Sequence, residues 1–309
     1  MNRHAITLSQ AFEGYFVYAQ ARRLSPNTLD NYAYVFRKLA TYLPDDPPLT
    51  SITPATIRGF LNAQHLSKKT LLNLHAGLSA LWRWAEHEKL VECNILRDVE
   101  PPKPEEREIV PLTQADVKAL LAACDRTRAY DRPGKRRCDN TRPTGLRDRA
   151  ILLLLIDTGL RASELCELRI HQADLKNHRV TVMGKGSKER LVPMSPRTAQ
   201  SLWRYLATRP DAKPVNYLFI TGQDTPFDRT SLRRLVYRIG ERAGVNNVHP
   251  HRFRHTFAIQ CLRNGCNVYA LQRLLGHTTL DMVKRYLAIA QTDVENAHRD
   301  ASPVTNWCL

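Results

Sequence analysis

The stretch His251-Arg252-Phe253-Arg254-His255 decides how this chain is interpreted, because it concentrates imidazole and guanidinium groups at the start of a predicted helix over 251–264. His251 and Arg254 are three residues apart and therefore share one face of that helix. His255 lies one position further round, where it is either a ligand or a filler of the core. Histidines on helices are more often structural, so this stretch indicates a site only if other groups join it.

Two further candidate site residues, His277 and Tyr286, follow downstream. Gly276 is a typical C-cap, which ends a helix over 267–275 and places His277 in the turn. Tyr286 lies nine residues further on, in a predicted helix over 279–289. Each has an ordinary explanation as well. His277 would suit the negative end of the preceding helix dipole, and a tyrosine at helical spacing is usually a core residue.

An arginine far upstream, Arg161, follows Thr158-Gly159-Leu160. The glycine predicts the end of one helix, and Arg161 begins another. A guanidinium beside the free N–H groups of a helix N-terminus is a good cradle for phosphate. The alternative is that Arg161 simply pairs with Glu164 or Glu167.

A glycine-bearing turn, Gly184-Lys185-Gly186-Ser187-Lys188-Glu189, separates two alternating segments at 179–183 and 190–194. This pattern predicts a β-hairpin with Lys185 at its tip. A lysine there can enter a DNA groove or donate a proton. Lys188 competes for that role, and a solvated turn lysine is the commoner case.

Together these groups suit phosphoryl transfer through a protein nucleophile. A phenol has a pKa near 10 and attacks poorly without help. Two arginines would neutralise the phosphate oxygens, a histidine would take the phenolic proton, and a lysine would protonate the leaving oxygen. No acidic cluster suited to Mg²⁺ and no P-loop accompanies them, so we expect neither a metal nor a nucleotide cofactor.

The charge balance indicates a polyanionic partner. The 309 residues include 46 Lys and Arg against 30 Asp and Glu, a net charge of +16. Nucleic acid is the usual partner of such a chain, although a basic surface can also serve solubility alone. An RNA-binding protein is disfavoured because no aromatic RNP-type strand is present.

The cysteines and the N-terminus predict a cytoplasmic protein. The seven cysteines form no C-x-x-C pair, and reduced thiols are the simplest account. The N-terminus has no apolar export region, and the longest apolar run, 150–156, is too short to span a bilayer.

The length predicts two domains. Residues 1–100 read as four amphipathic helices in a bundle, opened by Ser9, Ser25, Thr53 and Ser67. The proline-rich segment 101–112 reads as a linker. Residues 113–309 form a second, mixed domain, with Thr113 as a helix cap and a tail from about 290.

A basic insertion at 125–145 interrupts the apolar period of the second domain. It is either an arm that contacts DNA or a solvated loop of no consequence, and the sequence leaves both open.

The six residues in their contexts resemble the tyrosine recombinase (phage integrase) family. Arg161 stands in T-G-L-R-A-S-E-L, Lys185 in a G-K-G-x-K-x-R hairpin, His251 and Arg254 in H-x-x-R, His277 in L-G-H, and Tyr286 nine residues later. The resemblance spans nearly the whole chain. The chain is most similar to the simple two-domain Xer-like or transposon-borne members, and the basic insertion is longer than compact members show there.

The resemblance implies a mainly α fold. An N-terminal all-helical core-binding (SAM-like) bundle and a C-terminal mixed α+β catalytic domain with a small β-hairpin or sheet would clamp double-stranded DNA at inverted-repeat core sites. Tyr286 would form a 3′-phosphotyrosine bond, and a 5′-hydroxyl of a partner duplex would resolve it. A tetramer of protomers would carry out two such exchanges, with possible accessory proteins. The tail over 290–309 would dock on a neighbouring protomer or fold back on its own domain.

Two other functions share part of this pattern. A type IB topoisomerase uses the same chemistry but religates the same strand. A DNA-binding regulator would keep the fold without cutting, which the complete set of six residues argues against.

Overall fold

The computed structural model describes residues 6–103, 109–126, 141–184, 189–276 and 280–290, together with Ser302 and Val304; for 281, 282 and 288–290 it describes the backbone. By its internal packing the chain divides into two compact units, Met1–Arg107 and Glu108–Leu309. Among the described residues the structure is mostly helical with one small sheet, which confirms the predicted fold class. None of the described helices combines the length and apolarity needed to cross a bilayer.

The described residues of the first unit form four α-helices, as the sequence predicts, and two short 3-10 helices, Leu49–Ser51 and Ile95–Asp98. The α-helices are α1 (Leu8–Ala21), α2 (Pro26–Tyr42), α3 (Pro54–Asn62) and α4 (Lys68–His87). Ser25, Thr53 and Ser67 each accept a hydrogen bond from the backbone N–H three residues on, which confirms these predicted N-caps. The prediction that Ser9 opens α1 is wrong. Thr7 is the N-cap, because its side chain and that of Gln10 bond reciprocally to each other's backbone.

Aromatic residues fill the core of this first unit. Trp82 and Phe60 are fully buried. Phe12 and Phe36 stack with ring centroids 4.3 Å apart and thereby join α1 to α2. The apolar stripe predicted for α4 is the face that lines this core.

The second unit carries eight helices and three strands among the described residues. The helices are α5 (Gln114–Asp125), α6 (Gly145–Thr158), α7 (Ala162–Glu167), α8 (Pro196–Leu206), α9 (Arg229–Ala243), α10 (Pro250–Arg263), α11 (Val268–Leu275) and α12 (Asp281–Ala290). The strands are β1 (Ala173–Asp174), β2 (Arg179–Met183) and β3 (Glu189–Pro193). Thr113 caps α5 in a reciprocal box with Asp116, as predicted.

The predicted hairpin is present as β2 and β3. The two strands pair antiparallel, with Val180 opposite Val192 and Met183 opposite Glu189. Val180 and Val182 are buried, and the alternation of burial along β2 follows the period of a half-buried strand. The sequence did not predict β1, which extends the sheet to the order β1-β2-β3.

The basic insertion lies largely outside the described residues, since 127–140 are not described. Its two ends meet: Arg126 and Thr141 form an antiparallel bridge, and the N–H of Arg142 donates to the carbonyl of Asp125 at 3.0 Å. The insertion therefore leaves and rejoins the domain at one point, and α6 starts directly after it.

The final helices pack around α10. Ala258 and Ile259 of α10 form a small core with Leu271, Leu275, Val283 and Tyr286. This packing brings α11 and α12 against the helix that carries His251 and Arg254, and so positions the site.

Candidate active site

Arg161 lies at a sharp junction between α6 and α7. Gly159 ends α6 with φ of 62°, the left-handed conformation that glycine adopts at little cost. Arg161 follows as the N-cap of α7 in extended conformation. The predicted helix–glycine–helix arrangement is therefore present.

The Arg161 guanidinium pairs with Glu164, one of the two partners that the sequence left open. Its Nη1 donates to Oε1 of Glu164 at 2.8 Å, and its backbone N–H donates to Oε2 at 2.8 Å. The Arg161 side chain nevertheless remains 35% exposed, whereas that of Glu164 is 5% exposed. A cation is thus held on a buried carboxylate with one side open to solvent.

Arg254 is the most deeply buried cation of the site, with 1% of its surface exposed. Its Nη1 donates to the carbonyl of Gly159 at 2.7 Å, and its Nη2 donates to the carbonyl of Leu275 at 2.7 Å. Burial, and then the charge of Arg161, lower its pKa to about 10, which still leaves it protonated near neutral pH. Arg254 therefore ties the junction of α6 to the end of α11.

Consecutive carbonyls at the end of α11 receive the two arginines. Arg254 bonds to Leu275, and Nη2 of Arg161 donates to the carbonyl of Gly276 at 3.0 Å. Two guanidinium groups that are 93 residues apart in the sequence are thereby brought to one turn. His277 follows that turn, but residues 277–279 lie outside the described part of the chain.

Tyr286 is fully buried on α12. Its hydroxyl lies 2.8 Å from Nδ1 of His255. Burial raises the pKa of the phenol, while the charges of Arg254 and Arg161 act in the opposite direction. Both arginines are therefore close enough to act electrostatically on this oxygen.

His255 in turn contacts His251, with ring centroids 4.4 Å apart and the rings edge to face. Burial, and then the neighbouring histidines and Arg254, lower the pKa of His255 to about 4. Partial burial of its ring, and then Arg254, also lower the pKa of His251, which is exposed on one side. Both imidazoles are neutral near pH 7, so the hydrogen bond between His255 and Tyr286 joins two uncharged groups.

Lys185 falls at 185–188, which lie outside the described residues. The strands on either side are described, and the pair Met183 and Glu189 marks where the turn begins and ends. The structure thus brings together Arg161, Arg254, His251 and Tyr286, whereas the positions of Lys185 and His277 stay predictions.

Three further residues belong to this cluster: Glu164, Arg190 and His255. The sequence offers Glu164 only as an ion-pair partner of Arg161, and it leaves His255 open between ligand and core filler. Arg190 is the final residue of the G-K-G-x-K-x-R pattern, and that position was its only signal. Within the described part of the chain, no group of three or more His, Cys, Asp or Glu side chains could hold a metal ion.

Comparison with known proteins agrees with this geometry. Residues 111–293 match the phage integrase family, and residues 12–89 match the phage integrase N-terminal SAM-like domain. The tyrosine recombinase XerC of Myxococcus xanthus is 32% identical over 305 residues, which cover 90% of this chain and 92% of that protein. The tyrosine recombinase XerA of Thermococcus onnurineus is 30% identical over 298 residues, with 95% and 96% covered.

A solved structure shares the fold. The structure of the Tn1549 transposon integrase in complex with a circular intermediate DNA superimposes with a TM-score of 0.75 at 22% sequence identity, over 96% of this chain and 99% of that one. The family match and these relatives show that the protein is an enzyme that cuts and rejoins DNA strands in site-specific recombination through a tyrosine intermediate. The chain belongs to the phage integrase family of tyrosine recombinases.

Proposed function

We propose that Tyr286 is the nucleophile of this recombinase and that Arg161 and Arg254 hold the scissile phosphate. The observation that carries the proposal is the turn at Leu275 and Gly276, which receives both guanidinium groups on consecutive carbonyls. Tyr286 belongs to the same small core as Leu275. A phosphate bound by the two arginines would therefore sit within reach of the helix that carries the phenol.

The two arginines have different tasks in this proposal. Arg161 is partly exposed and can present a planar pair of donors to a non-bridging oxygen. Arg254 is buried, so its contribution is a fixed positive charge beneath the phosphate. Preorganised cations of this kind stabilise the charge that develops in the transition state without reorganisation cost.

His251, His277 and Lys185 complete the chemistry. We assign to His251 and His277 hydrogen bonds to the phosphate and the handling of the phenolic proton, and to Lys185 protonation of the leaving 5′-oxygen. The cationic side chains then do what a metal ion does in other phosphoryl-transfer enzymes.

Cleavage requires Tyr286 to leave its observed position. The phenol is buried and bonded to a neutral imidazole, so it is neither exposed nor activated in this conformation. Burial lowers the pKa of His255 to about 4 and raises the pKa of the phenol, so proton transfer along this bond is strongly uphill. The observed arrangement is accordingly a resting state, and DNA binding must accompany the exposure of the hydroxyl.

The two units divide the work on DNA in this proposal. Residues 1–100 form the core-binding domain, 101–112 the linker, and 113–309 the catalytic domain. The substrate is double-stranded DNA with inverted-repeat core sites in the cytoplasm, and a tetramer of protomers synapses two sites, with accessory proteins where the site requires them. The segment 290–309 would dock on a neighbouring protomer. The net charge of +16 supports a polyanionic substrate but does not specify its sequence.

A nicked suicide duplex tests the proposal. The full chain is incubated, with EDTA present, with a pool of nicked duplexes whose arms carry randomised inverted repeats. Covalent protein–DNA adducts are recovered under denaturing conditions and sequenced. We expect adducts with the wild type and none with Tyr286→Phe, whose DNA affinity should be unchanged. Adducts that persist in Tyr286→Phe, or a wild type that binds DNA but never attaches, would overturn the assignment.

The same preparation separates recombination from topoisomerase activity. A recombinase should act only on plasmids that carry two of the selected sites and should exchange strands between them. Relaxation of any supercoiled plasmid without such sites would favour the topoisomerase.

A further inference from the structure

A single buried carboxylate, that of Glu164, binds two guanidinium groups. Arg161 bonds to it through Nη1 and the backbone N–H, as described above. Arg190 bonds to it from the other side, with Nη1 donating to Oε1 at 2.8 Å and Nη2 donating to Oε2 at 2.9 Å. Burial alone would raise the pKa of Glu164, but the hydrogen bonds from Arg190 and from Arg161 overcome it and lower the pKa to about 2. Glu164 is therefore a permanent negative charge inside the proposed phosphate site.

The guanidinium of Arg190 is mostly buried and bonded to the protein. Its side chain is 14% exposed, and besides its two bonds to Glu164 its Nε donates to the carbonyl of Leu274 at 3.2 Å. A Cβ built on Gly276 would lie 2.9 Å from Nη1 of Arg190, so the turn at Gly276 packs directly on this guanidinium. Each of the three side-chain nitrogens of Arg190 thus donates a hydrogen bond to the protein.

The charges of the three groups decide what Arg161 can offer to DNA. Arg161, Arg190 and Glu164 together carry one net positive charge. Without Arg190, the carboxylate of Glu164 would cancel the charge of Arg161, and this trio would present no net charge to a phosphate. The bidentate geometry of the Arg190 pair makes it the better counterion of the two, because a fork of two parallel hydrogen bonds matches a carboxylate.

We propose that Arg190 is a positioning residue whose charge neutralises Glu164 and so leaves the charge of Arg161 available for the scissile phosphate. The inference rests on the proposed function of Arg161. It adds to the site a half-buried arginine from the start of β3. Glu164 orients the guanidinium of Arg161. Arg190 neutralises the negative charge of Glu164, which would otherwise repel the phosphate.

A double-mutant cycle tests this division of labour. Single-turnover rates of covalent adduct formation on the nicked duplex are compared for the wild type, Arg190→Met, Glu164→Gln and the double variant. Arg190→Met should slow the reaction on the order of a hundredfold, the usual effect of weakening one preorganised transition-state donor. The double variant removes both charges and restores the net charge of the trio. It should therefore react at least about tenfold faster than Arg190→Met, the size of effect expected from one unit charge in a partly buried site.

A purely structural role predicts a different pattern. If Arg190 only held the fold together, removal of its partner as well would leave the rate of the double variant equal to or below that of Arg190→Met, and this result would overturn the proposal. DNA affinity should change by less than a few-fold in all four chains, because one charge among many phosphate contacts matters little. Arg179→Met is the matched control. Arg179 lies in β2 of the same hairpin and pairs with Asp174 at 3.1 Å in an exposed ion pair, so its loss should leave the rate unchanged.

Two further outcomes are decisive. If Arg190→Met does not fold, Arg190→Lys carries the test, since lysine keeps the charge but loses the fork. A rate within about tenfold of the wild type supports the charge role, and a loss as large as that of Arg161→Met overturns it. If the wild type forms no adduct, the proposed function itself is wrong. If the wild type is active and Arg190→Met is equally active, only the role inferred for Arg190 is wrong.

Discussion

The hydroxyl of Tyr286 and Nδ1 of His255 lie within hydrogen-bond distance, 2.8 Å apart, where a fully buried phenol meets a half-buried imidazole. A buried hydroxyl without a partner is costly, so His255 stabilises the inward position of the phenol. The same imidazole is a poor base in this environment, because burial lowers its pKa to about 4. One contact thus gives the buried phenol its hydrogen-bond partner and keeps the proposed nucleophile inactive.

Replacement of His255 by a residue that cannot hydrogen-bond should expose Tyr286 to solvent. His255→Leu deletes the partner of the buried hydroxyl, which costs about 1–3 kcal/mol and shifts the population toward conformers with the phenol outside. His255→Gln offers a carbonyl acceptor and is the matched control. Nitration by tetranitromethane, mapped by mass spectrometry, should rise severalfold at Tyr286 in the Leu variant only. Tyr15, buried in the first unit, serves as the internal reference. Equal nitration of Tyr286 in the wild type and the Leu variant would contradict this role of His255.

Stability should fall as the pH drops below neutral. The pKa of His255 is about 4 in the folded chain against an ordinary value of 6.5, so between these values the unfolded chain binds the additional proton. The stabilisation is complete above pH 6.5, is lost progressively as the pH falls toward 4, and amounts to on the order of 3 kcal/mol. The lowered pKa values of His251 and His249 act in the same direction. Urea unfolding at several pH values should show this slope, and His255→Gln should reduce it. An unchanged slope in that variant would mean that His255 titrates normally.

Local chemistry explains why most of the fold could be predicted from the sequence. An N-cap side chain bonds to the backbone N–H only three residues further on, so N-caps can be identified from the sequence. This holds for Ser25, Thr53, Ser67 and Thr113. The sequence does not distinguish Thr7 from Ser9, because threonine and serine are both favoured at N-caps. The reciprocal hydrogen bonds between Thr7 and Gln10 make Thr7 the N-cap of α1. The two-residue strand β1 is too short to show any period.

The site was predictable only as a set of residue types. Arg161, Arg254 and Tyr286 were identified through motif contexts, but their contacts join residues from different elements. Arg254 reaches back 95 positions to Gly159, and Arg161 reaches forward 115 to Gly276. Periodicity carries no information over such separations. For the same reason the two bonds of Arg190 to Glu164, and the choice of His255 rather than another histidine as the partner of Tyr286, emerged only from the structure.

Arg161 and Arg254, the two proposed phosphate ligands, should differ in their effect on stability. Arg161→Met removes a bond to the Gly276 carbonyl and one of the two guanidinium partners of Glu164, but Arg190 still pairs with that carboxylate, so the loss should be about 1 kcal/mol of unfolding free energy. Arg254→Met removes donors from two carbonyls in a buried site and should cost about 2–4 kcal/mol. Both variants should form the covalent adduct at least about a hundredfold more slowly while they still bind DNA. Denaturant unfolding and single-turnover trapping measure the two effects separately. Equal stability losses in the two variants, or an unchanged cleavage rate in either, would contradict the proposal that Arg161 is a partly exposed phosphate ligand and Arg254 a buried positive charge.

Substitution by alanine should destabilise the protein more at Gly276 than at Gly244, a glycine with a similar backbone conformation. Gly276 has φ of 62° and Gly244 has φ of 68°, so an alanine at either position incurs a similar conformational cost of about 1 kcal/mol. Around Gly244 a Cβ meets nothing within 4 Å, whereas at Gly276 it lies 2.9 Å from Nη1 of Arg190. That guanidinium cannot simply swing aside, because Glu164 and Leu274 hold it. We therefore expect Gly276→Ala to lose about 1–2 kcal/mol more than Gly244→Ala, through strain or a broken ion pair, and to be the only one of the two that slows strand cleavage. Thermal unfolding and adduct formation measured on both variants check this, and matching losses in both assays would show that Arg190 yields freely to the added methyl group.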